Sequence, residues 1–135
     1  MIFLFCSCSD DALDSERIIG SWNLKSVTVT NCQNADENLP KSEADGDNCI
    51  VADAVNDIIW CDFVLSVLSD GTGNINYIED GDTETEEFTY TVNDETGEIN
   101  FCEDSDCISA EFRGDKLIWI LDDEDDCIGE LEFTM

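Results

Sequence analysis

Histidine is absent from the chain, and its absence closes several chemistries at once. No imidazole is available as a general base near neutral pH, as a metal ligand, or as the partner of a Ser or Cys nucleophile. Basic residues are nearly as scarce: five Lys and Arg stand against 34 Asp and Glu, a formal net charge of -29. Phosphate backbones are bound through Lys and Arg, so no nucleic acid is expected as a partner, and an anionic membrane repels such a body. A polyanion of this kind stays soluble but strains its own compact state. Salt or divalent cations are expected to stabilise it, with calcium bound only nonspecifically. Paired carboxylates remain able to hydrolyse glycosides, yet nothing in the spacing singles out such a pair. No catalytic residue, cofactor or metal site is assigned, and the chain is not expected to be an enzyme.

What the chain does have is an even supply of short β-prone runs. Its 135 residues suit one domain. The first run, Ile18 to Thr30, is rich in β-branched and aromatic residues and places Trp22 and Leu24 on one face. Val27 and Val29 fall on the other, which predicts a bulge or strong curvature near Lys25 to Val27, as when one strand serves two parts of a closing sheet. From Trp60 onward, apolar residues alternate between Asp- and Gly-rich turns. Cys61, Phe63, Leu65 and Val67 lead to the turn Ser69 to Gly73, and Ile75 and Tyr77 follow. Then come Phe88, Tyr90 and Val92; Ile99 and Phe101; Ile108, Ala110 and Phe112; Leu117, Trp119 and Leu121; Leu131 and Phe133. That succession predicts an all-β fold: an antiparallel up-and-down meander barrel or half-barrel of about eight strands, closing on itself to remove its edges.

Two stretches interrupt the pattern. Asn31 to Asn48 is polar, holds the single Pro, Pro40, and reads as a long surface loop. Its Asp45-Gly46-Asp47-Asn48 has part of a calcium loop but lacks the spaced ligands and closing Glu of an EF-hand. Ile50, Val51, Ala54, Val55, Ile58 and Ile59 then recur at helical spacing, which predicts one short helix between the first two strands, a plug or cover for an open end of the sheet or a lid over a cavity entrance.

The N-terminus reads as processed. Residues 1–8 form a truncated apolar leader, and Phe5-Cys6-Ser7-Cys8 resembles a bacterial lipobox with Cys8 as the residue to be lipidated. Ser9-Asp10-Asp11 resembles the acidic export tag of Gram-negative surface lipoproteins. Residues 9–17 are then an acidic tether and 18–135 the barrel domain. The expected location is the outer membrane or cell surface, held by an acyl chain that supplies the membrane affinity the acidic body lacks. Six cysteines follow Cys8, an even number that favours disulfides in an exported domain. Cys102 and Cys107 flank a hairpin turn and are expected to bond. For the rest, Cys32 with Cys49 and Cys61 with Cys127 are the favoured pairs. A zinc cluster is the alternative, but no pair of C-x-x-C knuckles appears.

Gly20-Ser21-Trp22, the Cys49-bearing loop, Phe63 leading to Asp70-Gly71-Thr72, Phe88 with Tyr90, and Leu117-Trp119-Leu121 together resemble the lipocalin-like domain of bacterial surface lipoproteins. The resemblance runs from Arg17 to Phe133 and implies a lipid-tethered meander barrel without enzymatic activity. The Arg that packs under the Trp in that pattern has Arg113 as its candidate here. A small apolar ligand is the implied cargo, with Trp22, Phe63, Tyr77, Phe88, Tyr90 and Trp119 as candidate lining, each of which has plain core packing as its other reading. The competing function is a structural or interaction module: a filled barrel whose acidic exterior meets a basic partner or is bridged by cations.

Overall fold

The computed structural model describes residues 13–33, 38–53, 58–122 and 127–135. A helical turn, α1 (Asp14–Arg17), precedes ten strands: β1 (Gly20–Thr30), β2 (Leu39–Glu43), β3 (Cys49–Asp53), β4 (Ile58–Val67), β5 (Thr72–Glu79), β6 (Asp82–Asn93), β7 (Glu98–Glu103), β8 (Asp106–Arg113), β9 (Lys116–Asp122) and β10 (Ile128–Thr134). From β4 to β10 each strand pairs antiparallel with its successor; β10 pairs with β1, and β1 returns to β4. β1 and β4 to β10 thus close an antiparallel barrel of eight strands, the architecture the alternating pattern predicts.

Closure depends on β1 serving two neighbours along one edge. Gly20 to Asn23 lie opposite Val67 to Val64 of β4, whereas Ser26 to Val29 lie opposite Glu43 to Leu39 of β2. The face change occurs where the sequence places it. The register against β10 shifts between Leu24 and Ser26, so Trp22, Leu24 and Val27 are all buried although they differ in parity. β4 behaves likewise: its end pairs with β1 and its beginning with β3, as Cys49 lies opposite Cys61. β2 and β3 form a wedge where β1 and β4 diverge.

That wedge corrects two expectations. The stretch read as a loop contains β2, with Pro40 tolerated in a strand at the end of the sheet order. The helix expected at Ile50 to Ile59 is replaced by β3 and the start of β4, with 54–57 outside the described residues. A short apolar run satisfies either period, and the cross-strand bond between Cys49 and Cys61 selects the extended form.

The other cysteines follow the same topology. Cys102 bonds Cys107 across the β7–β8 hairpin, as expected. Cys32 bonds Cys127, not Cys49, and Cys61 bonds Cys49, not Cys127. The cause is closure: Thr30 lies opposite Ile128, which sets the residues just beyond them, Cys32 and Cys127, side by side.

Inside the barrel, one cluster of buried side chains runs from wall to wall. It includes Ile18, Leu65, Ile99, Leu117 and Phe133, none of which exposes any surface.

Candidate functional site

All six residues expected to line a cavity belong to this interior or its border. Trp22, Phe63, Phe88 and Trp119 are buried in the core cluster, and Tyr77 and Tyr90 pack against it half-buried. The strands bring most of them into one chain of rings. Phe88 meets Phe101 at 5.2 Å between centroids, Phe101 meets Trp119 at 5.0 Å, Trp119 meets Phe133 at 5.2 Å, and Phe133 meets Phe63 at 5.9 Å. Phe63 continues to Trp60 and Tyr77, each at 5.1 Å. Aromatic pairs at these separations attract beyond the area they bury. The rings run round the inner wall from β6 through β7, β9 and β10 to β4. Sequence reasoning missed Trp60, Phe101 and Phe133 in this chain; Phe101 and Phe133 carry the same alternation as the residues that were singled out.

Two indoles solve their polar tip differently. Trp22 Nε1 donates to the Ile18 carbonyl at 2.8 Å, tying the barrel's first strand to the segment before it. Among the described residues, no hydrogen-bond acceptor meets the buried Trp119 Nε1, an arrangement that costs about 1–3 kcal/mol.

One mouth of the barrel joins aromatic rings to carboxylates. Trp60 Nε1 donates to Glu79 Oε1 at 2.8 Å. Burial, then the nearby charges of Glu86, Glu79 and Glu84, push the Tyr77 phenol above its ordinary value. These acids lie on the adjacent strands β5 and β6, on one wall, where a glycosidase needs two carboxylates facing each other across a cleft. At the opposite end of β5, Tyr90 donates its hydroxyl to the Leu68 carbonyl and secures the β4–β5 turn.

The other end carries α1. Ser15 bonds Asp94 through its backbone N–H at 3.0 Å and its hydroxyl at 2.8 Å. Arg17 lies 4.1 Å over the Phe112 ring, which in turn meets Trp22 at 5.9 Å, and donates to the Gly114 carbonyl. Arg113, the expected partner of Trp22, turns outward and forks onto Glu130 at 2.9 and 3.0 Å and onto Glu111 at 2.7 Å. The cation at the Trp22 end is Arg17. No Arg-specific spacing marks it in the sequence.

The exterior is divided by charge. No Lys or Arg occurs between Lys41 and Arg113, so the wall from β3 to β7 carries acids alone. The remaining cations gather on the opposite flank. Lys25, Lys41 and Lys116 line a recess of about 330 Å³ with Ser26 and Glu132. Glu132 accepts from Ser26 at 3.0 Å and pairs with Lys116 at 3.2 Å and Lys41 at 3.7 Å. Burial pushes its carboxyl up, but the bonds from Lys116 and Ser26 and the charge of Lys41 hold it below its ordinary value. Ile118 lies under this flank, buried opposite Glu132 and Glu111 and outside the core cluster.

Asp45 Oδ1, in the segment resembling part of a calcium loop, accepts from the backbone N–H groups of Asp47 and Cys49, closing a turn. Cys8 and the lipobox around it lie outside the described residues.

The fold and its contents define a small, disulfide-bonded antiparallel β-barrel with a packed aromatic interior and an unevenly charged surface. No protein-family model matches the chain, and no curated protein matches it.

Proposed function

We propose that this chain is a lipid-anchored protein of the outer membrane or cell surface, without catalytic activity, whose filled barrel serves as a scaffold for an acidic binding wall. The observation that carries this reading is the ring chain from Phe88 to Phe63, which spends the interior on packing and leaves the exterior as the working surface. A wall without a single cation from β3 to β7 favours a basic partner, steered by long-range attraction and weakened by salt. Export is supported by the three disulfides, which use every cysteine after Cys8. The Phe5-Cys6-Ser7-Cys8 pattern supports acylation at Cys8.

Labelling with a clickable fatty acid in a Gram-negative host tests the anchor. The full chain is expected to carry the label and sediment with membranes, and Cys8→Ala to lose both. Equal labelling of the two proteins refutes acylation at Cys8.

A second reading, a barrel holding one small ligand, is favoured by Trp119 Nε1, a buried donor that an acceptor oxygen on a largely apolar molecule would satisfy. Native mass spectrometry of the mature domain from its own host separates the two. A stoichiometric adduct of small-molecule mass supports the ligand reading, and the bare polypeptide mass supports the scaffold.

A further inference from the structure

β6 is paired on one side only along its first half. Its ladder with β5 runs without a register shift from Asp82, opposite Glu79, to Thr89, opposite Thr72. Its ladder with β7 begins only at Thr89, opposite Cys102. Among the described residues, no strand is hydrogen-bonded to the remaining edge between Asp82 and Phe88.

The turn decides which backbone groups face that edge. Asp80 and Gly81 have positive φ, 53° and 86°, and form a two-residue connection. The flanking Glu79 and Asp82 therefore exchange backbone hydrogen bonds, and such pairs recur at every second position. Glu84, Glu86 and Phe88 direct N–H and C=O at β5. Thr83, Thr85 and Glu87 direct theirs away from the sheet. The phase persists beyond the paired stretch, where the Tyr90 N–H reaches the Gly71 carbonyl at 2.9 Å.

An open edge of this kind is a template for another strand. Its charge selects the strand. Asp82, Glu84, Glu86 and Glu87 are all exposed, and two copies of this edge brought together would set like charges opposite one another. At the foot of the edge a recess of about 570 Å³ is lined in part by Leu68, Glu87, Thr89, Glu103 and Asp104, an apolar patch rimmed by acids. Such a rim suits a long basic side chain, with its methylenes over Leu68 and its cation among the carboxylates. The wedge strands offer less: β2 and β3 have five residues each, and β2 carries Pro40.

We propose that the β6 edge from Thr83 to Glu87 docks an extended, Lys- or Arg-rich polypeptide segment, which adds to the sheet as a further strand. The inference rests on the scaffold reading and locates its binding surface. Backbone pairing with Thr83, Thr85 and Glu87 fixes register, and alternate basic side chains meet Glu84 and Glu86 on one face and Glu87 on the other.

The test titrates the isotope-labelled full chain at low ionic strength with two synthetic peptides of equal charge. One alternates Lys and Val and favours strand; the other combines Lys and Ala and favours helix. The alternating peptide is expected to bind at least tenfold more tightly. It should slow amide exchange at Thr83, Thr85 and Glu87 while leaving Glu84 and Glu86, already bonded to β5, unchanged. Thr85→Pro removes one outward N–H and keeps every backbone bond to β5, losing only the bond from the Thr85 hydroxyl to Asn76 Oδ1, so it should weaken the alternating peptide about tenfold. The exchange pattern of the unaltered chain gives the answer even if that variant misfolds. Equal affinity for the two peptides, or protection without the alternation, overturns the edge as the docking site and leaves the acidic scaffold standing. Failure of both peptides to bind overturns both.

Discussion

The three disulfides close loops of very different length, and their removal one at a time measures what barrel closure contributes. Cys32–Cys127 spans 95 residues, Cys49–Cys61 spans 12 and Cys102–Cys107 spans 5. In the chain-entropy account the stabilisation grows with the logarithm of loop length, giving about 4.7, 3 and 2 kcal/mol respectively. The two shorter bonds lie inside the longest loop and shorten it, but through the logarithm this lowers its contribution by only about 0.2 kcal/mol. Domains of this size are stable by about 5–15 kcal/mol, so the longest bond is a large share of the whole. The perturbation is paired Cys→Ala substitution: C32A/C127A, C49A/C61A and C102A/C107A. The assay is urea denaturation of oxidised protein followed by Trp fluorescence. With a slope of about 2 kcal/mol per M, the midpoint should fall by roughly 2 M for the first pair and 1 M for the third. Burial of Cys127, at 5% exposure, adds to the first loss. Equal losses for all three pairs, or the largest loss for C102A/C107A, would refute the assignment of closure entropy to the β1–β10 junction.

Phe133→Ala removes a side chain with no exposed surface that touches both Phe63 and Trp119; thermal melting should show a loss of about 3–5 kcal/mol. Gly73→Ala places a Cβ against the Ser66 carbonyl and the Phe88 ring, whereas Gly46→Ala meets open space. Calorimetry should show about 1–3 kcal/mol lost at Gly73 and almost nothing at Gly46. The Arg113 bond holds the Glu130 carboxyl below its ordinary value. A depressed acid stabilises the folded state above its unfolded value, near 4.5, and that stabilisation is lost as pH falls through the lower folded one. Glu130→Gln should therefore cost stability at neutral pH and flatten the acid limb of the stability curve. An unchanged acid limb refutes the pairing. Because the fold carries -29 formal charges, its melting temperature should rise with added sodium chloride, and a flat salt series would remove the argument from self-repulsion.

The barrel was legible because its strands carry period-two alternation between strong turn signals. Phe63, Leu65 and Val67, and later Phe101, Trp119 and Phe133, can satisfy only a sheet with one buried face. The change of face near Lys25 was legible for the same reason, since two apolar pairs of opposite parity cannot share one face of an unbroken strand. The wedge was not. Ile50, Val51, Ile58 and Ile59 fit a helical stripe as well as two short strands, and only partners distant in sequence decide between them. The disulfides divide in the same way. Cys102 and Cys107 are set by one local hairpin, whereas Cys32 and Cys127 become neighbours only once the first strand has met the last. That pairing was available from the expected closure, since Cys32 follows β1 by two residues and Cys127 precedes β10 directly. The open edge of β6 depends on stagger between neighbouring strands. Residue types do not encode stagger, so this candidate surface had no sequence signal beyond the run of exposed Glu and Thr.

The wedge between β1 and β4 gives the molecule two tiers of cooperativity. β2 can peel from β1 without breaking any bond of the ring, because the ring is completed by the separate contact between Gly20 to Asn23 and β4. β3 is held to β4 by a covalent cross-link as well as by its ladder. One end of the vessel can therefore breathe on a hinge while the other stays shut, and a local opening there would uncover inner wall without unfolding the domain.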